Sequence, residues 1–420
     1  MSTHVISKAN NGEHTTISLS DPSTPLAESS IRVRPALLGL TSNNLTYALA
    51  GTTLHWWDAY PVPSPAPAPY NDQTNWGIVP AWGLATILES TIPSLTPSTT
   101  LWGFWPTSST AVDLQLTPSA PAGHWTETSP HRQSLFSLYN HYFVFDTASK
   151  DLKEFAWDAV VRPVWAAGYI LSDYIFTPDA KTNPPAHPLH ESFPWTLEDA
   201  DISKAVFVSV SASGKTARAT AYNFFCRPPG AGPKGFLQIT SSPAALAEAA
   251  EKFLPSFPVK AIAYEDVHSA DGWIADQKPD KIVVADFGAR DEALQRVVDG
   301  IKTKSELKDV KLVIMAVGNQ QKVYTASEVQ ASQEAFAALN KVQMNTSGVV
   351  DTILKAQDPS VFYDGIQKRW DQWVQNREFA APDLKLVWGE GIVGEKGIEG
   401  GWDALTSSKV KPEEALVYML

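Results

Sequence analysis

Cysteine is almost missing from this chain. One residue of 420, Cys226, carries a thiol, which excludes an intrachain disulfide framework and a cysteine-bearing zinc site of the usual kind. A reducing compartment is expected. No run of about 18 apolar residues occurs, and the opening MSTHVISKANNGEHTTISLS has neither a basic n-region nor an apolar h-region. The expectation is a soluble, cytoplasmic protein without a membrane partner. Basic charge is scarce as well: 33 Lys and Arg face 45 Asp and Glu, a net charge of -12. That balance supplies no patch for nucleic-acid phosphates, so no nucleic-acid partner is expected.

The remaining shortage is local and concerns glycine. Residues 204–221, KAVFVSVSASGKTARATA, run from a β-branched and aromatic stretch through a small polar turn into an alanine-rich segment, the pattern of strand, turn and helix. The first N–H groups of a helix have no internal partner and the helix dipole adds positive charge there, so such a turn suits a phosphate. Yet the dinucleotide fingerprint wants three glycines, and only Gly214 is present, preceded by Ser211, Ala212 and Ser213. The phosphate-loop motif of ATPases ends as Gly214, Lys215 and Thr216 do, but Ser209 occupies its earlier glycine position. A serine-rich turn with no ligand is the competing reading.

Tryptophan, by contrast, is abundant. Of fifteen, eight (Trp56, Trp57, Trp76, Trp82, Trp102, Trp105, Trp125 and Trp157) fall before residue 160. Aromatic side chains bury large areas wherever they sit, so a β-rich core accounts for them; a hydrophobic substrate cleft is the sharper alternative. Short apolar segments at 30–40, 76–90, 101–106 and 112–116 are separated by Gly, Pro or Ser and by the proline-rich 61–70, which predicts a small barrel or sandwich. Residues 1–28 are polar and unpatterned. A helix is expected over 160–175. From residue 204 onward strands at 205–210, 235–240, 259–264, 281–286 and 310–317 alternate with helices at 243–253 and 291–301, followed by helices at 327–339 and 361–375. That alternation predicts a parallel doubly wound sheet. The glycine-punctuated end turns back to strands, so the fold class is α/β: a β-rich domain over 1–160 completed by 384–420, with the sheet domain, 161–383, between its halves.

Asn43, Asn44, Tyr47 and Gly51, residues 80–83 and Ser90 in VPAWGLATILES, residues 103–106, Tyr139, Asn140 and Tyr142, Arg162 and Pro163, and residues 211–216, taken with that order of segments, carry a likeness over nearly the whole chain. The order resembles the medium-chain dehydrogenase/reductase superfamily, with a GroES-like β-rich domain, a Rossmann-like domain and a C-terminal return. More narrowly, these residues resemble a microbial family of unknown function related to it.

The superfamily implies a nicotinamide cofactor across the carboxyl ends of the central strands, with substrate between the domains. Carried to this chain, Ser211, Ser213, Gly214, Lys215 and Thr216 would hold the pyrophosphate. Ser241 and Ser242, in a turn without Asp or Glu, would favour NADPH over NADH, though no arginine sits in that turn. Gly288 and Gly318 would let the backbone approach the nicotinamide. Zinc-dependent members use first-domain cysteines, which this chain lacks, so no metal is expected. Zinc-free reductases hold the substrate carbonyl with a hydroxyl or amide while hydride arrives. Asn44, Tyr47, Asn140 and Tyr142 are the candidates, with His131 and His141 also near the implied cleft. The expected activity is NADPH-dependent reduction of a C=C or C=O bond in a hydrophobic, polyketide-like or quinone-like molecule. A cofactor-independent isomerase or cyclase on the same scaffold, and a non-catalytic ligand-binding protein, are the alternatives. An exposed edge of the doubly wound sheet would permit a homodimer.

Overall fold

The strand Ser30–Leu40 organises the first of two units seen in the computed structural model, which describes residues 1–147, 151–290 and 292–420. This unit comprises Met1–Pro163, Gln321–Tyr324 and Lys385–Leu420. One edge of the strand pairs with Pro80–Ser90, and its other edge is shared: residues 30–33 lie against 112–115, and 37–40 against 416–419. The ladder shifts register beside Pro35, which has no N–H to give. From Pro80–Ser90 the pairing continues through Thr100–Pro106, His141–Val144, His124–Glu127 and Val112–Ser119, and so closes an antiparallel barrel. Trp105, Phe104 and Tyr142 have no accessible surface, and Trp56, Trp57, Trp82, Trp102 and Trp125 are buried as well. The aromatic-rich β core therefore accounts for most of the early tryptophans. Outside the barrel, Glu414–Met419 extends the sheet, and Lys385–Glu390 runs parallel to it as the last strand, joined through the helix Ile398–Thr406.

Two elements of this unit escape the sequence pattern. Residues 1–28 contain strands Ser2–Ser7 and His14–Ser18, paired antiparallel, with Thr3, His4 and Ser7 buried despite their polarity. Thr3 Oγ1 lies 2.6 Å from Ser108 Oγ, and His4 Nε2 lies 2.9 Å from His14 Nδ1. The second is the helix Ser42–Leu49. Thr41 caps it and Asn44, three residues on, returns a bond to the Thr41 N–H, a capping box with Asn in place of the usual Glu or Gln.

The second unit, Val164–Gln320 and Thr325–Leu384, is built on six parallel strands. Across the sheet they run Val259–Ala263, Gly235–Thr240, Ala205–Val210, Lys281–Phe287, Lys311–Gly318 and Val342–Gln343, which in chain order is 3-2-1-4-5-6. The order reverses beside Ala205–Val210, and ligands of such sheets sit outside the carboxyl ends of the strands at that switch point. The expected helix at 160–175 is α-helical over Arg162–Ile170 and widens into a π turn over Leu171–Ile175. The helix expected from residue 291 spans Ala293–Thr303; Asp291 lies outside the described residues. The long helix Pro359–Ala380 buries Trp370 and Trp373, with Trp165 edge-on to Trp370 at 5.3 Å. Among the described residues, no helix is long and apolar enough to cross a membrane.

Candidate functional site

At the switch point the strand Ala205–Val210 runs straight into the serine turn. Ser211 takes φ +66°, a left-handed conformation that costs a residue with a Cβ about 1–2 kcal/mol. The Ala212 N–H donates to the Ile239 carbonyl at 2.9 Å, tying the turn to the neighbouring strand. In the helix that follows, Lys215–Phe225, the first ladder bond runs from the Arg218 N–H to the Gly214 carbonyl. The amides of Lys215, Thr216 and Ala217 therefore stand ahead of the ladder and have no carbonyl within the helix to donate to. Ser211, Gly214, Lys215 and Thr216 are half-buried, whereas Ser213 is buried with its hydroxyl 3.4 Å from Ser241 Oγ. That contact brings together the turns after the first and second strands. Ser241 is exposed, and the Ser242 N–H donates to Thr240 Oγ1 at 3.0 Å before the helix Pro243–Phe253.

Arg218 holds this turn in place, and no sequence motif marks it. Its Nε donates to the Ser213 carbonyl at 2.8 Å, and its two Nη atoms each donate to Asp383 at 2.7 Å. The guanidinium is buried, and its partner lies 165 residues away, beyond any local spacing rule. Arg290 is a second residue the sequence did not flag. Exposed at the carboxyl edge of the sheet, it stacks 5.2 Å over the ring of Tyr264, which follows the third strand directly beside the Ser241 turn.

The three glycines of the candidate site differ in what the fold demands of them. Gly288 has φ +103°, and a Cβ there would meet the Asn319 carbonyl oxygen at 2.5 Å; a Cβ on Gly318 would meet the Phe287 carbonyl at 3.1 Å. Close approach of the loops after the fourth and fifth strands, with the positive φ, already requires glycine at 288, and leaves a Cβ at 318 only a tight fit. Asp286 shapes the first of these loops by accepting from the Gly288 and Ala289 N–H groups, and Lys341 pairs with it at 3.0 Å. Gly214 is unlike them. Its φ is −63° and ψ 150°, which any residue adopts, and a Cβ there would meet only the Ser211 carbonyl, at an ordinary 3.5 Å. No contact among the described residues requires glycine at 214.

The first unit gathers the candidate catalytic residues into one buried cluster. Tyr47 is buried, and its hydroxyl oxygen accepts from Trp82 Nε1 at 2.8 Å and Asn43 Nδ2 at 2.6 Å. Trp56, Phe104 and Tyr139 surround its ring edge-on at 4.8, 5.0 and 5.8 Å. Burial holds the Tyr47 hydroxyl protonated, well above the ordinary phenol value. Asn44 is occupied by its own neighbours, accepting from the Thr41 N–H and donating to the Pro80 carbonyl at 2.9 Å. Asn140 exchanges bonds with the buried Arg132, whose Nε donates to Asn140 Oδ1 at 2.9 Å while Asn140 Nδ2 donates to the Arg132 carbonyl. Tyr142 donates to the Phe104 carbonyl and lies 3.1 Å from the Tyr60 hydroxyl, with Arg132 over both rings. His131 is exposed, whereas His141 is buried 2.8 Å from His124 Nδ1, and burial, then His124 and Arg162, push it down to about 3. Among the described residues, no three His, Cys, Asp or Glu are placed to hold a metal ion.

Solved structures share this architecture. Escherichia coli quinone oxidoreductase complexed with NADPH is similar over 100% of both chains, at 12% identity and a TM-score of 0.52. A mutant form of enoyl thioester reductase from Candida tropicalis is similar over 100% of this chain and 99% of that one, at 10% identity and 0.51. A complex of Etr1p with NADP and crotonyl-CoA is similar over 100% of both, at 9% and 0.50. The fold is thus the medium-chain dehydrogenase/reductase one, a GroES-like β-rich unit and a Rossmann-like parallel sheet, as the order of segments led us to expect. Within it, the chain belongs to the family described as "Protein of unknown function (DUF2855)", whose model matches residues 38–411. No curated protein matches the sequence.

Proposed function

We propose that this protein is a zinc-independent oxidoreductase that uses NADPH to reduce a C=C or C=O bond of a hydrophobic small molecule. The observation behind this reading is Gly214: a glycine that the fold does not need, at a helix start and at the switch point of a 3-2-1-4-5-6 sheet, leaves room for a phosphate to approach the backbone. Lys215 adds charge there, and Ser211 and Thr216 add half-buried hydroxyls, while Ser213 is turned inward to Ser241. A turn with Ser241 and Ser242 and no carboxylate, with Arg290 stacked at the same edge, favours the 2′-phosphate of NADPH. When bound, NADPH would supply the hydride.

On the substrate side, Tyr47 is the residue proposed to donate to the carbonyl oxygen, since Trp82 and Asn43 would stabilise its oxygen as the proton is shared. Asn44, Asn140 and Tyr142 support the surrounding wall. The similar structures support the same reading: a quinone oxidoreductase and an enoyl thioester reductase act on acceptors with a C=C bond conjugated to a carbonyl. A cofactor-independent isomerase or cyclase is the second reading, motivated by the Cβ of Ser211 and the inward Ser213 where the fingerprint has glycine. Gly214→Ala distinguishes the two. Gly214 is the N-cap of the helix, where alanine is less favourable than glycine, so stability should fall by no more than about 1 kcal/mol while NADPH affinity falls. Unchanged affinity would remove the pyrophosphate from this turn.

A further inference from the structure

Asn11 and Gly12 form the turn that joins strands Ser2–Ser7 and His14–Ser18 of the first unit. Glycine has no Cβ to shield its backbone nitrogen, so after an asparagine that nitrogen can reach the carbon of the side-chain amide. The local contacts favour the approach. Gly12 is exposed, and its N–H donates to Asn10 Oδ1 at 3.1 Å, an acceptor aligned with the proton the nitrogen would shed. Asn11 is half-buried; its Nδ2 donates to the Ser7 carbonyl at 3.1 Å, and its Oδ1 has no partner among the described residues. The backbone side of Asn11 is tied down elsewhere. Its carbonyl accepts from Trp402 Nε1 at 2.9 Å, and Trp402, only 1% exposed, belongs to the helix Ile398–Thr406. One residue on, Asp403 Oδ1 lies 3.0 Å from His14 Nε2. These two bonds fasten the hairpin to the helix, and one of them ends on Asn11.

We propose that Asn11 is a site of spontaneous modification, converted by its own backbone and water to aspartate and isoaspartate. The Gly12 nitrogen bonds to Asn11 Cγ and gives its proton to water, the Cγ–Nδ2 bond breaks, and ammonia leaves, closing a succinimide ring. Water then opens the ring at one of its two carbonyls. Opening at the backbone carbonyl gives isoaspartate, and opening at Cγ gives aspartate; nothing is oxidised or reduced. Asn10 is followed by Asn11, whose Cβ crowds the equivalent nitrogen, so Asn10 stays as it is. Both products lose the Nδ2 donor to the Ser7 carbonyl, and both add a carboxylate to a neighbourhood that already holds Glu13 and Asp403. In aspartate that carboxylate takes the place of the donor, setting acceptor against acceptor at Ser7. In isoaspartate the chain runs through Cγ and is longer by one carbon, and the former backbone carbonyl, the acceptor for Trp402, becomes the carboxylate. Either way the turn loosens from the contacts that anchor the hairpin.

The test uses the full chain, held for days at mildly alkaline pH and physiological temperature. Trypsin releases residues 9–32 as one peptide, which should gain a single mass unit at residue 11, with a fraction of it labelled by a protein isoaspartyl methyltransferase. Gly12→Ala places a Cβ 3.3 Å from Asn10 Oδ1, the tip of an exposed side chain, and should stay unmodified over the same interval. The converted wild type should unfold at a temperature lower by roughly 2–4 °C than fresh protein, the loss of about one hydrogen bond, while held Gly12→Ala should unfold where fresh Gly12→Ala does. No conversion at Asn11, conversion at Asn10 in its place, or equal conversion in Gly12→Ala would overturn the proposal. So would converted protein that unfolds at the temperature of the fresh one.

Discussion

Acidification should destabilise this protein through two buried imidazoles. His4 has no accessible surface, its Nδ1 has no partner among the described residues, and burial, with His14 beside it, pushes its pKa from 6.5 down to about 3. His141 is pushed down to about 3 as well, first by burial and then by His124 and Arg162. Both stay neutral in the folded protein over the range in which the unfolded chain takes up protons. The unfolded state thus holds the extra protons, and stability is full above about pH 6.5 and lost as pH falls toward about 3. The slope approaches about 1.4 kcal/mol per pH unit for each histidine. From about pH 7 to pH 5 each therefore accounts for a loss of about 2 kcal/mol, and the pair about 4. At about 2–4 °C per kcal/mol for a unit of this size, the thermal midpoint should drop by about 8–16 °C over that interval. Thermal unfolding followed by tryptophan fluorescence reads it, comparing wild type with His4→Gln and with His4→Gln/His141→Gln. Each substitution should remove its share of the pH slope, whatever it does to stability at neutral pH. A double variant with the wild-type slope would refute the reasoning.

Two further outcomes follow from named contacts. Asp383→Asn leaves the buried Arg218 guanidinium without its charge partner, so urea denaturation should show a loss of about 3–5 kcal/mol, and NADPH affinity should fall as the Ser213 carbonyl loosens. Wild-type stability would mean that the pair does not hold the turn. Tyr47→Phe strips the acceptor from Trp82 and Asn43, costing about 1–3 kcal/mol, and should lower kcat more than it raises KM; unaltered turnover would take Tyr47 out of the chemistry.

The sheet unit was the more legible in the sequence because its signal is local. A fully buried parallel strand such as AVFVSV reads as a continuous β-branched run, and helices between the strands fix the topology. The barrel was legible as a class, not as a register. Strand Ser30–Leu40 serves two partners along one edge, 112–115 and 416–419, which no pattern within the strand announces. The N-terminal hairpin was hidden because it buries Thr3, His4 and Ser7 among its apolar residues, and Thr3 finds its partner only at Ser108, far along the chain. The helix Ser42–Leu49 was hidden because Asn44 does the work that Glu or Gln does in the usual capping signature. At the candidate site, the serine turn and its glycine were readable as a motif. Arg218 with Asp383 and Arg290 with Tyr264 were not, since each pair joins elements that only the folded sheet brings together.

The proposed function rests on a phosphate at the helix that begins after Gly214, and Lys215 reports on it most directly. Titration of the pure protein with NADPH, followed by tryptophan quenching and nicotinamide emission, should show saturable binding. Lys215→Ala should weaken it by about ten- to a hundredfold, the equivalent of one charge-assisted hydrogen bond, and the difference should shrink at high salt. The variant should unfold at the wild-type temperature, since a lysine at a helix start faces the unfavourable end of the dipole. No saturable binding of NADPH or NADH by the wild type at millimolar concentration would contradict the reductase reading and favour the cofactor-independent one.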